Sequence, residues 1–151
     1  MRLLKSPVLS FLPAFLMMFY AHSQEIYEKK GIAIHGYDIV SYFKDRPERG
    51  KKEFATTYKG IVFLFSSLAH KEAFINKPSR FLPQYGGFCA YAMALKGKKV
   101  KIDPKTYEIR NGKLYLFYHS GKTNTLQLWN KEGAEILIPK ANDNWKILIH
   151  S

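Results

Sequence analysis

The chain has 151 residues, of which 46% are hydrophobic and 15% aromatic, and its formal net charge is +12. This composition excludes a disordered chain, because a single domain of this size can bury enough apolar surface to offset the entropy of folding. The only cysteine of the chain, Cys89, cannot form an internal disulfide, so burial and hydrogen bonding must stabilise the fold.

Residues 1–23 have the three-part layout of a secretory signal peptide. A basic start is followed by an apolar stretch at residues 8–20, and small residues precede a cleavage site before Gln24. The stretch is short for a membrane-spanning helix, which is the alternative interpretation. We therefore predict a single domain over residues 24–151 that is periplasmic or secreted and has no stable membrane insertion. This mature chain loses two basic and no acidic residues, which leaves a net charge of +10.

Turn and capping residues divide the first half of the mature chain into three predicted elements. Asp38 is a good N-cap for a short helix that ends near Phe43. A β-hairpin with a Lys59-Gly60 turn follows, and its second strand is apolar almost throughout, which is typical of a central strand. Ser67 then caps a predicted helix over "LAHKEAFIN".

The second half begins with the stretch "PQYGGFCAYAMA", which contains the cysteine. The glycine pair allows a sharp turn into a helix over residues 88–95, and this places Cys89 in the first helical turn. Asn111-Gly112 is a favoured type I′ turn between two runs rich in aromatic and branched residues, which predicts a second hairpin.

After Gly121 the pattern predicts two helices, broken near Gly133 and Pro139. Together these elements predict an α+β fold: a small antiparallel sheet built from two hairpins, packed with several short helices.

Four side chains of the mature chain are candidate ligands for copper or zinc, one thiol and three imidazoles, and His150 is not counted because it lies near the end of the sequence. They are Cys89, His35, His70 and His119. A helix N-terminus favours the thiolate form of a cysteine, which makes it a better ligand and a better nucleophile. No C-x-x-C or H-x-x-x-H spacing is present. A catalytic Cys–His pair and purely structural roles for all four residues therefore stay open.

The basic charge and the many tyrosines predict a second kind of site. A strongly positive protein attracts anionic ligands and surfaces, and an exported protein meets little nucleic acid, so we expect no nucleic-acid partner. Tyr37, Tyr85 and Tyr91 can ring a pocket for a small or anionic ligand, although core packing is the commoner role of such rings. No P-loop, dinucleotide-binding, H-E-x-x-H or G-x-S-x-G motif occurs, so an enzyme is the less expected class.

Four stretches that cover nearly the whole mature chain resemble the exported YHS-domain proteins of bacteria. They are "GYDIVSYF", "GIVFLFSSLAHKEAFINKPSRFLPQYGGFCAYA", "NGKLYLFY" and "ANDNW". The resemblance implies a metal-binding domain. Many YHS modules carry two cysteines where this chain has Ser66 and His70, so the resemblance leaves His70 and Cys89 as the expected ligand pair.

We therefore expect an exported small metal-binding module, with copper as the first metal and zinc as the second. It would handle metal or load a metal-accepting partner protein, with His35 and His119 as additional ligands to His70 and Cys89. The first alternative is a non-metal module that binds a small or anionic ligand in the tyrosine-lined pocket, and the second is a Cys-dependent enzyme.

Overall fold

The computed structural model describes residues 25–151, so the predicted signal peptide lies outside the described residues. Helices and short sheets are both present, which confirms the α+β class. The strands are β1 (Glu28–Lys29), β2 (Ile32–Ala33), β3 (Lys51–Tyr58), β4 (Ile61–Phe65), β5 (Asp103–Arg110), β6 (Lys113–Phe117), β7 (His119–Ser120) and β8 (Thr123–Asn124). The α-helices are α1 (Leu68–Asn76), α2 (Pro78–Phe81), α3 (Ala90–Lys96), α4 (Thr125–Glu132) and α5 (Ala134–His150). Short 3-10 helices cover Ile34–Gly36, Ser41–Lys44 and Gln84–Gly87.

Both predicted hairpins form, and they belong to different sheets. β3 pairs with β4 across the Lys59-Gly60 turn, and β5 pairs with β6 across Asn111-Gly112. The first hairpin is part of a four-stranded sheet of order β1-β2-β4-β3, in which β2 and β4 run parallel, whereas β5 and β6 form a two-stranded sheet. β4 is therefore an interior strand, as its apolar sequence predicts.

The predicted break at Gly133 is confirmed, because α4 ends before this residue and α5 begins after it. The predicted break at Pro139 is wrong, since this proline lies inside α5. A proline inside a helix removes one backbone hydrogen bond. Here the apolar face of α5 offsets that loss by burying Leu137, Ala141 and Trp145, which are spaced one helical turn apart.

The core consists of two clusters of buried side chains. The first cluster lies around β4 and α1, where the rings of Phe63 and Phe74 stack with centroids 4.9 Å apart. The second cluster lies between α3, α4 and α5 and contains Trp129 and Trp145. None of the helices within residues 25–151 is long and apolar enough to cross a membrane.

Candidate functional site

Asp38 is the one acidic side chain among the described residues that is fully buried, with 0% of its surface exposed. Its Oδ1 accepts hydrogen bonds from the backbone N–H groups of Val40 and Ser41, at 2.9 and 3.3 Å, at the start of the 3-10 helix Ser41–Lys44. Its Oδ2 accepts from the backbone N–H and the hydroxyl of Ser66, at 2.9 and 2.7 Å. These bonds compensate the cost of burying a carboxylate.

His70 supplies one more partner of this carboxylate. The residue lies in the first turn of α1, where its backbone N–H donates to the Ser67 hydroxyl at 3.2 Å, so the predicted cap is confirmed. Its Nδ1 lies 2.6 Å from Oδ2 of Asp38. An ionised carboxylate can only accept a hydrogen bond, so Nδ1 carries the proton. In the neutral imidazole the lone pair is then on Nε2.

A cleft of about 440 Å³ opens beside His70, which we call the His70 cleft. Its walls are formed by Ser41, Lys44, Arg46, Glu48, Ser66, Ser67 and His70. The imidazole is 15% exposed, and its Nδ1 is turned toward the buried carboxylate. Nε2 of His70 has no hydrogen-bond partner among residues 25–151. Every buried side-chain nitrogen or oxygen of these residues has a partner, so Nε2 is accessible from outside. Its lone pair is therefore free to bind a ligand in the cleft.

Cys89 lies in different surroundings. It is the N-cap residue of α3, one position before the first helical turn in which we expected it. Its thiol is fully buried at the edge of an apolar cavity of about 300 Å³. The sulfur accepts from the backbone N–H of Tyr118 at 3.3 Å and lies 3.4 Å from the Thr125 hydroxyl. Cys89 and His70 share none of these hydrogen-bond partners.

His35 and His119 have hydrogen-bond partners different from those of His70 and Cys89. His119 belongs to β7, and its Nδ1 is 3.3 Å from the Thr106 hydroxyl and 3.8 Å from Oδ2 of Asp103. Nε2 of His35 lies 2.9 Å from the hydroxyl of Tyr27. No group of three or more His, Cys, Asp or Glu side chains within residues 25–151 has the arrangement of a metal site.

The three predicted pocket tyrosines differ in their packing and hydrogen-bond partners. Tyr37 packs in the first core cluster, and Tyr85 packs in the second, where its hydroxyl donates to Asn142 at 2.9 Å. The hydroxyl of Tyr91 donates to Glu132, and this hydrogen bond, followed by burial, raises the pKa of Tyr91 to about 12. The Tyr91 ring packs against both clusters, whereas Tyr37 and Tyr85 belong to one cluster each.

Comparisons of the chain with protein-family models, with curated proteins and with solved structures found no match. The resemblance to YHS-domain proteins therefore stays a prediction. The sequence indicated Asp38 only as a helix cap and did not reveal its bond to His70. The available signal was an acidic residue inside the apolar stretch "GYDIVSYF", because a charge among apolar neighbours needs a buried partner.

Proposed function

We propose that the protein is a small metal-binding module, with copper as its first metal and zinc as its second, and that His70 is the anchoring ligand. One observation carries this proposal: the 2.6 Å hydrogen bond between Nδ1 of His70 and the fully buried Asp38. A carboxylate behind a metal-ligating histidine fixes the tautomer and the orientation of the ring, and it makes the other ring nitrogen a stronger donor.

Glu48 supports the proposal as a second donor on the wall of the His70 cleft. Its carboxylate pairs with Nε of Arg46 at 3.0 Å, but the Arg46 side chain is 82% exposed. An exposed ion pair contributes about 0–1 kcal/mol, so it does not prevent the carboxylate from turning to a metal ion. An imidazole and a carboxylate favour Cu²⁺ over Zn²⁺ in the usual order of divalent-metal affinities.

Few side chains of the His70 cleft can bind a metal ion, and this suits transfer of the metal rather than its permanent storage. Lys44 on the cleft wall opposes the approach of a cation, which weakens binding further. A weakly held ion with open coordination positions can accept ligands from a second protein. We therefore propose metal handling, or loading of a metal-accepting partner, after export to the periplasm or the medium. Cys-dependent catalysis has less support, because the thiol of Cys89 has no exposed surface.

The decisive experiment is a titration of the protein with Cu²⁺ and Zn²⁺, in which calorimetry measures the binding and NMR monitors the histidine rings. We expect saturable binding that is lost in His70→Gln, with Zn²⁺ shifting the ring signals of His70 and the paramagnetic Cu²⁺ broadening them. Asp38→Asn should weaken the affinity by about 10–100-fold, because it removes the carboxylate that orients the ring.

Two matched variants serve as controls for this titration. Cys89→Ser and His119→Gln should retain the binding, since neither residue contacts His70. Unchanged affinity in His70→Gln, or loss of binding in Cys89→Ser, would contradict the proposed site.

A further inference from the structure

A second cleft lies beside the hairpin of β1 and β2 and has a volume of about 380 Å³, and we call it the hairpin cleft. Its walls are formed by Lys29, Lys30, Ile32, His35, Gly36, Arg49, Gly50 and Leu64. Three of these side chains are cationic and none is acidic. The concave surface therefore concentrates positive potential, which attracts anions.

The backbone around the hairpin cleft adopts unusual conformations. Ile34 and His35 have φ angles of 45° and 54°, in the left-handed region that non-glycine residues seldom occupy and in which a β-branched residue such as Ile34 is an outlier. Each such residue costs on the order of 1–3 kcal/mol, and this cost is tolerated only where the surrounding structure imposes the conformation. Ile34 is fully buried, so the core holds this segment in place and fixes the position of the His35 ring at the cleft.

Arg49 is held in position by two contacts. Its guanidinium carbon lies 5.0 Å from the centroid of the Tyr37 ring, and its Nη1 donates to the backbone oxygen of His35 at 3.3 Å. These contacts leave further guanidinium N–H groups for a ligand. Because the planar guanidinium matches the spacing of two phosphate or sulfate oxygens, a held arginine is well suited to bind these groups.

The surroundings of His35 favour the uncharged imidazole. Burial lowers its pKa, and the positive charges of Lys29 and Arg49 lower it further, against an opposite effect of Asp103. The imidazole is therefore neutral near pH 7. Nε2 lies 2.9 Å from the hydroxyl of Tyr27, and this hydrogen bond can form with either ring tautomer.

We propose that the hairpin cleft binds a small organic molecule that carries a phosphate or sulfate group, with Arg49, Lys29 and Lys30 holding the oxyanion. The cleft volume lies within the range of about 300–1,000 Å³ that is typical of small-molecule sites, so it has room for an organic moiety beside the oxyanion. This proposal does not depend on metal binding in the His70 cleft, and its test is run without metal.

The test is an NMR titration of the isotope-labelled protein at constant ionic strength with glucose 6-phosphate, inorganic phosphate, inorganic sulfate and glucose. We expect saturable shifts at residues 29–36 and 49–50 with the first three probes and none with glucose. Tighter binding of phosphate than of sulfate would assign the natural ligand to phosphate esters, and the reverse order would assign it to sulfate esters.

Variants test whether specific side chains carry the binding. Arg49→Gln and Lys29→Gln should each weaken the affinity for glucose 6-phosphate by about tenfold or more, as expected for the loss of one charge-assisted hydrogen bond. Lys29 is exposed, so its substitution leaves the fold intact. Lys140→Gln makes the same charge change on the exposed surface of α5 and should have no effect. Equal weakening in all three variants, or shifts that never saturate, would overturn the proposal.

Discussion

The imidazole of His70 faces a buried carboxylate, whereas the imidazole of His35 lies near the cationic side chains of Lys29 and Arg49. Both rings are partly exposed at a cleft, and each has one ring nitrogen within hydrogen-bonding distance of a neighbouring side chain. The carboxylate of Asp38 favours a positive ligand at the His70 ring. The cationic side chains of Lys29 and Arg49 oppose a positive ligand at the His35 ring. The two proposed sites therefore differ in the charges around the imidazole and not in the residue type.

The largest expected effect comes from removing the charge behind His70. Asp38→Asn removes the charge of a buried side chain that accepts five hydrogen bonds, and it replaces one of the two acceptor oxygens by an NH2 group that faces their donors. We expect a loss of about 3–5 kcal/mol in the free energy of unfolding, measured by urea denaturation. Asp143→Asn is the matched control on the exposed face of α5 and should cost little. Equal stability of the two variants would show that the Asp38 network does not hold this region together.

A smaller effect is expected from replacing a positive neighbour of His35 by a negative one. Arg49→Glu replaces a cation at the hairpin cleft by a carboxylate, so it should raise the pKa of His35 relative to the unmodified protein. It should also abolish the binding of glucose 6-phosphate. NMR titration of the histidine rings measures both changes, and Lys140→Glu is the control of equal charge change. An unchanged pKa of His35 would mean that Arg49 does not act on the ring.

The smallest effect is a dependence of stability on pH. The pKa of His35 in the folded protein is lowered from its ordinary value of 6.5. Below about pH 6.5, His35 therefore binds a proton more readily in the unfolded chain than in the folded protein. The free energy of unfolding should therefore fall as the pH decreases below about 6.5. Urea denaturation between about pH 5 and about pH 7.5 measures this slope. It should be smaller in His35→Gln, and an equal slope in both proteins would assign it to other groups.

The elements that the sequence predicted well are those set by a few neighbouring residues. The turns at Lys59-Gly60 and Asn111-Gly112 and the cap at Ser67 occur where we expected them. Each depends on backbone conformations and hydrogen bonds within about four residues, so the local sequence contains the required information. The helix through Pro139 shows the limit of such rules, because burial of a distant apolar face outweighs one lost hydrogen bond.

The candidate sites depended on contacts between distant parts of the chain. Asp38 and His70 are 32 positions apart, and the thiol of Cys89 meets Thr125, which is 36 positions away. A lone histidine or cysteine has many possible partners in a chain of this length, and only the packing of the elements selects among them. The sequence by itself therefore determined the α+β class, the two hairpins and the chemical kinds of ligand available. The tertiary structure decided which of those side chains meet, because burial brings a particular carboxylate beside one imidazole and particular cations beside another.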